Sequence, residues 1–194
     1  MIPLHPPFRV ARAGDAQVLA ELVNYAGEGL PEYLWGQLAS PGEDAWAIGV
    51  ERQVQKIEEG QIVVVDEGAG AISALTGYAI GADPQPIDDD PPDIVRPLIE
   101  LENLAPNTWY VNVLATLPDH RGKGWGRKLL DVAEKIAAAQ DLKDMSIIVA
   151  DTNEDAWRLY TRVGYQEAAR RPIVKTGWVS SGREWVLLIK GSSG

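Results

Sequence analysis

Three glycines alternate with larger residues in Arg121-Gly122-Lys123-Gly124-Trp125-Gly126-Arg127-Lys128, and no other stretch limits the fold as much. The patterns on its two sides differ. Upstream, residues 108–117 (Thr-Trp-Tyr-Val-Asn-Val-Leu-Ala-Thr-Leu) read as a strand that Pro118 ends. Downstream, over residues 124–140, Leu129, Leu130, Ala133, Ile136 and Ala137 share one face of a helix. The chain therefore turns from strand to helix through backbone that carries few side chains. A glycine inside a helix costs about 1 kcal/mol against alanine, so three at a helix start want a reason.

One reason is close approach of an anion. Without Cβ atoms, the free N–H groups at a helix start can touch phosphate, and the helix dipole favours the negative charge. Arg121, Lys123, Arg127 and Lys128 add four cations to this turn in a chain of formal net charge −10. The other reading is a tight turn that opens a solvated basic helix, and glycine spacing alone does not choose between them. Two rival phosphate motifs fail. The GxxxxGK loop followed by Ser or Thr is absent, and the glycines run GxGxG rather than GxGxxG.

The remaining chain shows no internal repeat. Residues 8–12 alternate as a short strand. Asp15 is a fair N-cap for a helix with Val18, Leu19, Leu22 and Val23 on one face, and residues 27–31 break it. A second helix is predicted over residues 44–57, with Gly60 as its stop. Strands at 61–66 and 71–80 frame a hairpin turn at 67–70. Residues 81–107 hold six prolines and Asp88, Asp89 and Asp90, so loop dominates there, with room for a short helix near 94–101. This stretch is expected to be a mobile flap. Residues 145–150 read as a buried strand, 154–163 as a helix closed by Gly164, and 186–189 as the last strand of a C-terminal pair. The expected order is β-α-α-β-β-β-α-β-α-β-β. Residues 1–190 read as one domain and 191–194 as a flexible tail.

Composition removes several chemistries. With 45% hydrophobic and 24% charged residues the chain is an ordinary globular one. Cysteine is absent, which excludes disulfides, thiolate metal sites and a covalent cysteine intermediate. Only His5 and His120 are histidines, far apart, so no histidine-rich metal site is expected. No apolar run approaches the roughly 20 residues of a membrane span, and the first residues lack a signal core. A cytoplasmic location is the expectation. The acidic charge argues against nucleic acid. It suits a basic amine substrate, or serves solubility alone.

Two motifs together resemble the GNAT superfamily of acyl-CoA-dependent N-acyltransferases. The first is Arg or Gln, two residues, Gly, one residue, and Gly or Ala, following a strand of Leu-Ala-Val-x-Pro type. Here it reads Leu114-Ala115-Thr116-Leu117-Pro118-Asp119-His120-Arg121-Gly122-Lys123-Gly124. The second reads Asn153-x2-Ala156-x3-Tyr160-x3-Gly164-Tyr165. The resemblance covers residues 109–165. It implies an α/β (α+β) fold with a mixed, mostly antiparallel central sheet flanked by helices.

The resemblance also implies an activity: transfer of an acetyl group from acetyl-CoA to a primary amine by direct attack in a ternary complex. A non-catalytic acyl-CoA sensor or partner domain is the alternative. The pyrophosphate would rest on the N–H groups of residues 122–126. Main-chain groups of Leu114, Ala115 and Thr116 would pair with the pantetheine arm like an added strand and polarise the thioester carbonyl. Arg121, Gly122, Lys123, Gly124, Trp125, Gly126, Arg127, Asn153 and Ala156 complete the implied cofactor contacts. Tyr160 is implied both to touch the cofactor and to protonate the leaving thiolate, with its ionisation shaping the basic limb of the pH–rate profile. No metal is implied. The acceptor is a small molecule or peptide amine, nucleic acid and membrane are not partners, and a homodimer stays open.

The base is not legible. Many members of the family carry a glutamate on the strand before the glycine turn, where this chain offers Asn112. Glu100, Glu102 and Glu28 are the nearby carboxylates, each with a solvated surface role as its alternative. A water relayed to Glu100 or Glu102 and steadied by Asn112 is the reading preferred. Trp35, Trp46, Tyr25 and Tyr33 cluster in the N-terminal part, either as a wall for a cationic amine or as helix packing.

Overall fold

The structure, a computed structural model, describes residues 2–60, 62–84 and 91–191. Asp88, Asp89, Asp90 and the tail residues 192–194 lie outside the described residues. The strands are β1 (Phe8–Val10), β2 (Ile62–Asp66), β3 (Ala71–Ala79), β4 (Thr108–Thr116), β5 (Asp144–Ala150), β6 (Gln166–Pro172) and β7 (Glu184–Lys190). The helices are α1 (Ala16–Ala26), α2 (Leu30–Leu38), α3 (Ala45–Glu58), α4 (Arg96–Glu102), α5 (Trp125–Ala138) and α6 (Glu154–Arg162). Strand order is β1-β2-β3-β4-β5-β7-β6. The β4–β5 ladder is parallel, and the β1–β2, β2–β3, β5–β7 and β6–β7 ladders are antiparallel. This is the mixed, mostly antiparallel α/β sheet that the sequence leads one to expect.

By contacts the chain divides into two compact units. The N-terminal unit comprises residues 2–77 and 113–130, and the C-terminal unit residues 78–112 and 131–194. In the N-terminal unit Leu19 and Leu22 of α1 pack with Ile62 and Val64 of β2 and Ala71 and Ala74 of β3, joined by Ala115 and Leu117. Their spacing is the helical and alternating periodicity of the sequence turned into one core. Arg9 ties the same unit together. Its guanidinium donates to both Asp15 oxygens at 2.7 and 2.9 Å and to Asp66 at 2.9 Å. Asp15 also accepts from the Arg12 N–H, and a short 3-10 turn (Ala13–Asp15) precedes α1. Asp15 thus anchors the helix start through Arg9 and makes no side-chain bond to the first turn of α1.

Two helices exceed the sequence expectation. Helix α2 begins inside the break at residues 27–31, because Pro31 stands in its first turn, where a missing N–H costs nothing. It packs on α3 through Trp35, whose ring lies 5.7 Å from that of Trp46. Gly49 allows this, since a Cβ there would run into the Trp35 ring. The second helix, α4, has Leu101 fully buried and packs against β6 and β7 within the C-terminal unit. Part of the predicted flap is therefore a packed helix. Its ends are pinned too, by Asn107 N–H to Gly81 C=O and Ile80 N–H to Thr108 C=O.

Candidate functional site

The site residues expected from sequence fall into two groups, one in each compact unit. In the N-terminal unit, Leu114, Ala115 and Thr116 end β4. The parallel ladder to β5 runs from Thr108↔Asp144 to Val111↔Ile147, so these three residues lie past it. Their other side is occupied: the Ser73 hydroxyl donates to the Ala115 carbonyl at 2.6 Å and meets the Thr116 hydroxyl at 2.8 Å. The Leu117 N–H goes to the Ile72 carbonyl.

The glycine turn follows. Gly122 and Gly124 have φ of +77° and +79°, and a Cβ built on either meets nothing within 4 Å. Glycine is needed here for the left-handed backbone and not for packing. Arg121 before them is extended, and a turn of this kind leaves successive backbone N–H groups available to an anion. The first backbone donor of α5 with a carbonyl partner in the preceding turn is Lys128, to Gly124 at 3.2 Å. Arg121, Lys123, Arg127 and Lys128 are all exposed. Among the described residues, none of the four forms an ion pair with a carboxylate. Arg121 is steadied by the Thr116 carbonyl (3.1 Å) and lies over the Tyr25 ring at 5.6 Å. Lys128 lies over the Trp125 ring at 4.0 Å, and the buried Trp125 indole meets Phe8 edge-on.

In the C-terminal unit Asn153 caps α6, its side-chain oxygen accepting from the Ala156 N–H at 3.2 Å. The amide of Asn153 keeps its NH2 group as a donor. Tyr160 is buried, with its ring 5.7 Å from that of Tyr165. Burial pushes the Tyr160 hydroxyl well above the ordinary tyrosine value, so it stays protonated at any working pH. Gly164, at φ +100°, ends the helix, and the Tyr165 N–H returns to the Tyr160 carbonyl.

The carboxylates named from sequence differ sharply. Glu100 is held by Arg171 at 2.7 Å. Glu28 sits in the turn after α1 with φ of 54°. Glu102 instead accepts from the Tyr78 hydroxyl at 2.6 Å. Asn112 is exposed on β4. Tyr78 is the one member of this group that the sequence does not flag; its partner lies 24 residues away and no motif links them. Of the aromatic cluster, Trp35 is buried packing, while half-buried Trp46, which donates to Glu32 at 3.1 Å, lines a cavity between α1 and α3 together with Tyr25. Among the described residues, no group of three or more His, Asp or Glu is placed to hold a metal ion, and no helix is long and apolar enough to cross a membrane.

The acetyltransferase (GNAT) family matches residues 31–165, and the chain belongs to that family. It is an acyltransferase enzyme by that membership. Similar solved structures include a ribosomal-protein-alanine N-acetyltransferase from Brucella melitensis (18% identity, TM-score 0.59, 95% of this chain and 98% of that one). Another is the PaiA N-acetyltransferase of Thermoplasma acidophilum in complex with coenzyme A (13%, 0.58, 95% and 97%). A third is a GNAT acetyltransferase of Elizabethkingia anophelis with acetyl-CoA bound (15%, 0.51, 73% and 82%). At these identities the likeness is one of fold. No curated protein matches the sequence.

Proposed function

We propose that residues 1–190 work as one catalytic domain that moves an acetyl group from acetyl-CoA to a primary amine on a small molecule or peptide. The observation that carries this is the glycine turn: two left-handed glycines, a free helix start and four cations without carboxylate partners. Acetyl-CoA is the co-substrate of the family, and its pyrophosphate suits this turn. The main chain of Leu114 to Thr116 would take the pantetheine arm by strand addition and polarise the thioester carbonyl. Asn153 would donate its free amide group to the arm. The neutral amine attacks the carbonyl carbon, the C–N bond forms, the C–S bond breaks, and Tyr160 gives its proton to the departing sulfur.

Calorimetry with acetyl-CoA tests the cofactor half. Gly124→Glu is a poor probe, because a side chain at φ +79° adds backbone strain of about 1–2 kcal/mol. Lys123→Glu leaves the backbone alone. It should weaken acetyl-CoA about tenfold, a loss of roughly 1.4 kcal/mol. Unchanged affinity would remove the turn from the cofactor site. Release of free CoA with a panel of primary amines tests the transfer half, and a chain that binds acetyl-CoA but releases none is a sensor.

A further inference from the structure

Helix α1 shows two apolar or semipolar stripes, and only one of them enters the core. Leu19 and Leu22 pack on β2 and β3, while Gln17, Glu21, Asn24 and Tyr25, at i, i+4, i+7 and i+8, line a cavity between α1 and α3. Helix α3 answers with Ala47, Val50, Glu51 and Val54, at i, i+3, i+4 and i+7. The cavity holds about 840 Å³, the size of a small-molecule site and too small for a folded partner. Its lining falls within residues 17–54, inside the N-terminal unit. We propose that it binds an organic cation, one ammonium group carried on an apolar body. This goes beyond acetyl transfer and rests on no part of that reading.

Charge decides which apolar ligand fits. Glu21 and Glu51 line the cavity from opposite helices, and among the described residues neither forms an ion pair. No lysine, arginine or histidine belongs to the lining. Asp44 adds a third carboxylate at the start of α3, where it accepts from the Trp46 N–H at 3.1 Å. An anion would be repelled by all three, and a neutral ligand would leave them unanswered. A cation is attracted by them and by the rings of Tyr25 and Trp46. Tyr25 already serves a cation in this way: the Arg121 guanidinium lies over its ring at 5.6 Å, from outside the lining.

The wall is also held in place without a ligand. Glu32 of α2 accepts from the Trp46 indole at 3.1 Å and from the Asn24 amide at 3.2 Å, so one side chain fixes a lining residue of each helix. Asn24 in turn accepts from the Glu32 N–H. Groups set before binding lose less freedom when the ligand arrives. The remaining surface asks for carbon. Val50 and Val54 are only half-buried, and an apolar body laid along them removes that surface from water. The charged end then lies with Glu21 and Glu51, and the apolar end along the valines.

Calorimetry with benzyltrimethylammonium tests this on the full chain. The probe has no N–H and cannot be acetylated, so its binding is read separately from any transfer. Wild-type protein should bind it, and should bind benzyl alcohol, which keeps the ring and lacks the charge, about tenfold more weakly. Glu21→Gln and Glu51→Gln should each weaken the probe about threefold and the double variant about tenfold, the scale of exposed charge pairs. Tyr25→Leu should cost about threefold as well. Surface changes of this kind leave the fold intact. Glu58→Gln, on α3 but outside the lining, should bind as wild type does. Absence of binding overturns the proposal, and so does equal affinity for benzyl alcohol, which would leave an apolar groove without charge selection. Wild-type affinity in the double variant, or an equal loss in Glu58→Gln, would overturn it too, by assigning the binding to the acidic surface at large.

Discussion

At the scale of single residues, burial separates the tyrosines by role. Tyr160 is sealed and stays protonated, so Tyr160→Phe removes a proton donor and little else. Turnover should drop about 10²-fold with acetyl-CoA affinity unchanged, read from kcat and calorimetry side by side. The raised hydroxyl also alters one expectation from sequence. The basic limb of the profile should not report Tyr160 ionisation, and should keep its position in the Phe variant. Arg9 and Asp15 form a different kind of contact. The pair is part-buried, with side chains 22% and 8% exposed, so Arg9→Met should lower the urea midpoint near pH 7 by less than loss of a fully buried partner would. Hydrogen bonds from Arg9 hold Asp15 below the ordinary carboxylate range. The pair therefore stabilises fully above about pH 4 and loses its contribution as pH falls through the depressed native value. The gap between wild type and variant should close over that acid range.

At the scale of elements, the sequence was legible where one periodicity acts alone. Helix α5, strand β5 and helix α6 fall within two residues of their predicted bounds, because a continuous apolar face or run defines each. Helix α2 was not legible. Its opening, Gly29-Leu30-Pro31, has the composition of a breaker, and only packing of Trp35 over Gly49 shows it to be a start. Helix α4 falls near the short helix expected at 94–101, but its packing was not legible, since α4 meets strands far along the chain. Hydrogen exchange should accordingly protect the amides of residues 100–103, and uniform fast exchange across 91–107 would contradict the packed helix. Helix α6 joins structure to chemistry at Asn153. Asn153→Asp keeps an N-cap and removes the amide donor, so stability should hold while acetyl-CoA affinity falls; Asn153→Ala should also cost about 1 kcal/mol of stability.

Across the whole molecule, the part of the site proposed for the cofactor carries a local sequence pattern and the part proposed for the acceptor carries none. The turn proposed for phosphate needs left-handed backbone, and that demand writes itself locally as Gly122 and Gly124. Glu100 and Glu102, the carboxylates considered from sequence as a base, gain their partners Arg171 and Tyr78 only on folding, so no spacing announces them. Composition constrains the kinetics more firmly than any single contact. With no cysteine in 194 residues, there is no thiolate to carry the acetyl group between substrates. Tyr160, the hydroxyl assigned nearest the sulfur, is kept neutral by burial and is a poor nucleophile in that state. On the proposed direct attack, both substrates are present when the thioester opens. Initial rates at varied acetyl-CoA and amine should give intersecting double-reciprocal lines. Acetyl-CoA without amine should release no burst of CoA at the level of enzyme present, measured by stopped-flow thiol detection. Parallel lines together with a stoichiometric burst would mean that an acetyl-enzyme forms, and direct attack in a ternary complex would have to be abandoned.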